Sequence, residues 1–182
     1  MNLSYLSNPL GEPFDVALFR QWMKLSFTED DALIQSLMCS ARKLIETYTG
    51  TILFAQIWDA SLDRWPDDGV MSLRLRPFTR LVEATVATNS APQSIAASLA
   101  FDISRNALII LPSAPKPFTP SGGIRLRLLF GPETADGVDS ILRHALFNLV
   151  THFYFNRGDA AADLMPLTIR AELDQLRERR LA

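Results

Sequence analysis

Apolar side chains recur along this chain with two different periods, and the change of period divides it into three stretches. Between Phe14 and Leu25, Val16, Phe19, Trp22 and Met23 fall three or four residues apart, which predicts a helix with one apolar face. Asp15 stands where an N-cap belongs. From Thr28 to Gly50 the pattern is plainer. Leu33, Ile34, Leu37, Met38, Ala41, Leu44, Ile45 and Tyr48 form an apolar stripe, while Gln35, Ser36, Arg42, Lys43 and Glu46 take the other face. Thr28 and Asp31 resemble a capping box with Asp in place of the usual Glu, and Gly50 sits where a left-handed C-cap would end the helix.

From Thr51 to Gly131 the helical period is lost. Ile57–Leu62, Met71–Arg76, Leu81–Ala87, Ala107–Leu111 and Gly123–Phe130 read as strands. Met71, Leu73 and Leu75 alternate with Ser72, Arg74 and Arg76, and Ile124, Leu126 and Leu128 alternate with Arg125 and Arg127, so each of these strands should bury one face and wet the other. Trp65-Pro66-Asp67-Asp68-Gly69 predicts a turn, and the proline-rich run from Pro112 to Gly123 predicts a loop.

A third long helix is predicted from Gly137 to Asn156, with Val138, Ile141, Leu142, Ala145, Leu146, Leu149, Val150 and Phe153 as its stripe. His144, Phe147, Thr151, Tyr154 and Phe155 widen its apolar coverage beyond one face, as in a helix that is central or covered by another subunit. Gly158 ends it, and Pro166 suits the start of a last, thinly amphipathic helix from Leu167 to about Arg179. The order predicts an α+β fold: a helical bundle built from N-terminal and C-terminal helices, with an inserted antiparallel β-rich lobe. The expected boundaries are 1–50, 51–131 and 132–182.

With 182 residues, 48% of them apolar, the chain can bury a self-sufficient core. A net charge of −2 supplies no global field for holding nucleic acid by counterion release. Cys39 is the only cysteine, so no internal disulfide forms, and on a helical stripe it reads as a small core residue. The start of the chain lacks the charged and apolar regions of a signal peptide, and no run reaches the ~18 apolar residues of a membrane span. Hence a protein made and used in the cytoplasm is expected, with release only by lysis.

Chemistry is hard to place. His144 and His152 lie eight residues apart on one predicted helix, about 12 Å of rise, too far to share a metal ion. Glu29-Asp30-Asp31 begins a helix, where acids complement the dipole, and Asp67-Asp68 sits in a turn. No nucleophile elbow, phosphate loop or dinucleotide fingerprint is present. Arg74, Arg76, Arg80, Arg125 and Arg127 alternate with apolar residues and read as a wet sheet face, at most touching DNA phosphate without reading sequence. No catalytic residue, metal or cofactor is expected.

An ordered set of short motifs goes further. The run Asp31-Ala-Leu-Ile-Gln-Ser-Leu-Met-Cys-Ser-Ala-Arg-Lys-Leu-Ile-Glu-Thr-Tyr-Thr-Gly50 is followed by Gln56-Ile57-Trp58, then Leu62-Asp63-Arg64-Trp65-Pro66, then Arg76-Pro77. Next come a strand ending in glycine, Leu128-Leu129-Phe130-Gly131, and the run Ala145-Leu146-Phe147-Asn148-Leu149-Val150-Thr151-His152-Phe153-Tyr154-Phe155-Asn156-Arg157. Pro166-Leu167-Thr168-Ile169-Arg170-Ala171-Glu172-Leu173 closes the set. In this order the motifs resemble the head–tail connector, or adaptor, family of long-tailed bacteriophages, prophages and gene transfer agents. The alanine- and serine-rich stretch from Ser90 to Leu99 matches nothing in that pattern.

The resemblance implies a non-enzymatic virion protein of the neck. Its copies would form a ring of about twelve, between a portal protein and a stopper or tail terminator, with double-stranded DNA in the lumen and no sequence-specific contact. It implies that the end of 132–182 is a portal-docking tail. The expected subunit and partner interface is Phe147, Thr151, Tyr154 and Phe155 on the third helix, with Arg170, Leu173, Arg177, Arg179 and Arg180 on the last. Two other readings compete: another neck or tail-completion protein, expected to be more β-dominated, and a small hydrolase using His152 with a nearby carboxylate.

Overall fold

A computed structural model describes residues 2–5, 9, 11–118, 121–159 and 162–176. The chain forms two compact units, one from Met1–Leu10 with Ala55–Gly131, the other from Gly11–Phe54 with Pro132–Ala182. The first is a sheet unit and the second a helical unit, so the fold is α+β with the β-rich lobe inserted between the helices.

Among the described residues the sheet unit holds β1 (Asn2–Tyr5), β2 (Gln56–Leu62), β3 (Val70–Ser72), β4 (Phe78–Val86), β5 (Gln93–Ser94), β6 (Leu99–Asp102), β7 (Ala107–Ile110) and β8 (Ile124–Phe130). They make a five-stranded sheet in the order β1-β2-β8-β4-β5 and a three-stranded sheet in the order β3-β7-β6. The strand pairings among the described residues are antiparallel. β8 is central, and its alternation behaves as the sequence predicts: Ile124, Leu126 and Leu128 are buried while Arg125 is exposed.

Three features depart from expectation. Asn2–Tyr5 belongs to the sheet unit, because it pairs with Trp58–Ser61 of β2. The stretch from Ser90 to Leu99 carries β5 and a short 3-10 turn, which leads directly into β6. In the predicted strand Met71–Arg76 the continuous ladder extends only as far as Ser72. Beyond it the Asn106 amide donates to the carbonyls of Leu73 and Leu75, at 3.0 Å each, in place of a strand ladder. Asn106 holds φ 45°, a left-handed conformation that asparagine tolerates.

The helical unit holds α1 (Val16–Met23), α2 (Asp31–Thr49), α3 (Ser140–Phe155) and α4 (Leu167–Asp174). Asp15 caps α1 by accepting from the Leu18 N–H, and Asp139 caps α3 by accepting from the Ile141 N–H. Gly50 ends α2 at φ 71°. The capping box expected at Thr28 does not form: the N-cap is Asp30, and its carboxylate is engaged elsewhere. Phe19, Ile34, Met38, Ile45, Leu146 and Leu149 make the centre of the core, and Ile169 and Leu173 of α4 close it.

Candidate interaction surface

Three clusters fix the helical unit internally. In the first, Arg42 on α2 is enclosed between Glu12 (Nε to Oε2, 2.8 Å) and Glu46 (Nη1 to Oε2, 3.0 Å). The other Glu46 oxygen accepts the Leu53 N–H at 2.9 Å, and the other Glu12 oxygen accepts the Cys39 thiol at 3.1 Å. This network pins residues 12 and 53 to α2. Burial pushes the Cys39 thiol above its ordinary range, and the Glu12 hydrogen bond adds to the effect, so the cysteine is a structural group with little thiolate character.

The second cluster joins the start of α2 to the end of α3. Tyr154 Oη donates to Asp30 Oδ2, Arg157 Nη1 lies 3.4 Å from the same oxygen, and the Arg157 guanidinium sits 4.7 Å from the Tyr154 ring centroid. The Tyr154 hydrogen bond, and after it Arg157, hold the Asp30 carboxyl below the usual carboxylate range despite an opposing desolvation effect. A depressed folded pKa gives stability that is present above the unfolded carboxylate pKa and lost as pH falls through the folded value. Asp30→Asn should therefore flatten part of the acid limb of unfolding. Thermal midpoints followed at 222 nm between about pH 2 and 6 check this; an unchanged acid limb would refute it.

The third cluster is aromatic. Phe147 stacks on Phe14 at 4.0 Å between centroids and 7°, and packs near Phe19 and Trp22 at 6.1 and 5.2 Å.

These clusters redistribute the residues expected at an interface. Phe147, Tyr154 and Leu173 are buried in the helical unit, at 7%, 7% and 0% exposure, so they are internal packing residues and not free surface. The surplus apolar coverage of α3 is taken up largely by α1, whose Phe19 and Trp22 lie against it. Thr151 is half-buried and its hydroxyl points at the Met23 sulfur, 3.2 Å away. Phe155 and Arg170 are exposed. Arg177, Arg179 and Arg180 lie outside the described residues.

The histidines separate as their spacing requires. His152 Nε2 lies 2.7 Å from the Asp163 carbonyl, which can only accept, so Nε2 carries the proton and Nδ1 accepts from the Asn156 amide at 3.1 Å. Both ring nitrogens of His152 are thus engaged by a backbone carbonyl and a side-chain amide rather than by a carboxylate. His144 faces Glu172 at 3.5 Å in a shallow pocket of about 260 Å³ that also includes Ser140, but no hydrogen bond joins Ser140 to His144. No group of three potential metal ligands occurs among the described residues, and no helix there is long and apolar enough to cross a membrane.

What the surface does offer is large apolar side chains. Around the end of α3 and the start of α4, Phe155, Leu164 and Leu167 are 69%, 75% and 73% exposed. Leu164 is held outward by its neighbours: the Asp163 carbonyl is bonded to His152 and Met165 is buried. On α1 and α3, Leu18, Trp22 and Ile141 are also exposed. On the sheet unit, Ile103 and Phe118 stand free at loops, and a polar concavity of about 790 Å³ spans β2, β4 and β8. There Arg127 is neutralised by Asp59 (3.1 Å) and Glu83 (2.9 Å). Sequence reasoning missed Leu164, Leu167 and Trp22 as surface groups, because their spacing alone does not tell an outward side chain from a core one.

No family model and no curated protein matches the chain. Solved structures do. A chain from the neck of an empty gene transfer agent particle computed with C6 symmetry superposes with a TM-score of 0.82 at 24% identity. A chain from the virion of a native gene transfer agent particle gives 0.81 at 23%. A chain from the neck of a native particle computed with C12 symmetry gives 0.80 at 24%. Each alignment covers 100% of this chain and 98% of the other. The two-unit fold is thus shared from end to end.

Proposed function

We propose that this chain is a structural subunit of the neck of a tailed phage or phage-like particle. In this reading it is an adaptor, one copy in a ring of about twelve, placed between a portal protein and a stopper or tail terminator. It carries no catalytic role. Double-stranded DNA passes through the lumen, and localisation is the particle neck after assembly in the bacterial cytoplasm.

The observation that carries the reading is the coverage of the structural likeness. Both units, and nearly the whole of each compared chain, correspond to chains of gene transfer agent necks and virions. A shared superfold alone would not carry function. The rest of the molecule is consistent with this role. The chain has net charge −2, and Arg127 is held by two carboxylates, so neither favours tight retention of DNA. The 19 residues of α2 and 16 of α3 favour an adaptor over a β-dominated stopper or terminator.

The test is size-exclusion chromatography with light scattering on the full chain, alone and mixed with the portal protein of the same particle. A ring-sized assembly in either sample is expected. A chain that stays monomeric in both, at every salt concentration, would overturn the proposal.

A further inference from the structure

The helical unit presents two apolar surfaces that differ in charge, and α4 lies between them. Ile169 and Leu173 point into the core, so the residues beside them define two flanks. Arg170 and Glu172 are two positions apart, about 200° around the helix, and therefore emerge on opposite flanks. The Arg170 flank carries Leu167, three residues earlier, and adjoins Leu164. Arg170 is exposed, and Asp174, one turn on, is engaged as an acceptor by the Tyr48 hydroxyl at 2.5 Å.

The Glu172 flank meets α3 and α1. His144 lies 3.5 Å from Glu172 and 6.2 Å, centroid to centroid, from Trp22, so it links the two. Ile141 is nearly a turn before His144, and Leu18 a turn before Trp22. Glu172 Oε2 is itself enclosed and faces the His144 ring, while the side chain as a whole is 36% exposed. One flank thus pairs exposed leucines with an exposed cation, and the other pairs exposed apolar residues with a partly exposed carboxylate.

Resting on the ring reading above, we propose that successive copies pack head to tail through these two flanks. Leu164, Leu167 and Arg170 of one copy sit against Leu18, Trp22, Ile141 and Glu172 of the next. The occupant of each surface is a second copy of this chain. A heterologous contact between identical subunits needs two different, complementary patches on every copy, which is what α4 separates. A two-fold dimer through the Arg170 flank would instead set like charges face to face. Three leucine and phenylalanine side chains about 70% exposed at one end of one unit also exceed the scattered single exposures normal for a surface.

Charge reversal tests the pairing under whichever condition assembles the unaltered chain. Arg170→Glu and Glu172→Arg should each weaken assembly about ten-fold or more, while the chain carrying both changes should recover, because the contact is then attractive with its signs exchanged. Leu167→Ser should weaken assembly with unchanged helical signal at 222 nm, which separates interface loss from unfolding. Single variants that assemble normally, or a double variant no better than the singles, would overturn this interface and leave the ring reading standing. Failure of the unaltered chain to assemble at all would be the separate failure of that reading.

Discussion

Arg42→Met should destabilise the helical unit by about 3–5 kcal/mol, the cost of leaving buried carboxylates without their cation. The Arg42 side chain is 3% exposed, with Glu46 at 9% and Glu12 at 13%. Removing the guanidinium leaves two acids facing each other in a poorly solvated site. Glu46 cannot simply turn away, because it also holds the Leu53 N–H. Part of the loss should return in Glu12→Gln/Arg42→Met/Glu46→Gln, which keeps an acceptor for Leu53 and removes all three charges. Urea unfolding followed at 222 nm reports this unit, since all the described α-helices lie in it. A single variant within about 1 kcal/mol of the parent would mean that water reaches the carboxylates and that the network is a surface one.

That network shows where sequence reasoning stops. Helices end where local chemistry says they should: Asp15 and Asp139 each satisfy an N-terminal N–H, and Gly50 supplies the left-handed turn after α2. Such signals act over three or four residues and are legible in one dimension. The central strand β8 was equally legible from Ile124 to Leu128, where one buried and one wetter face impose alternation. Glu12 and Arg42 are 30 positions apart and nothing in their spacing pairs them. β1 was missed for the same reason: Asn2–Tyr5 has no strong pattern of its own and becomes a strand by pairing with β2. The capping box failed because Asp30 found a tertiary partner in Tyr154. The interface residues were half legible. The excess apolar surface of α3 was visible in sequence, but whether α1 or another copy covers it depends on a packing that periodicity does not encode.

Phe147 and Phe155 put that last point to a direct test, because they lie on one helix and were expected to share one role. Phe147→Ala should cost about 3–5 kcal/mol, since it removes a buried ring and leaves a cavity. The ring is stacked on Phe14 and close to Phe19, and both are core residues that cannot collapse into the gap without moving α1. Phe155→Ala removes a side chain that is 69% exposed and should change stability by less than about 0.5 kcal/mol. Urea midpoints of the two variants at 222 nm, below the concentration at which copies associate, decide the matter. Equal and small losses would mean that Phe147 is not part of a closed core and that α1 leaves α3 in solution. A large loss at Phe147 alone assigns the middle of α3 to folding of the single chain and leaves the exposed residues at its ends available for contact with other copies.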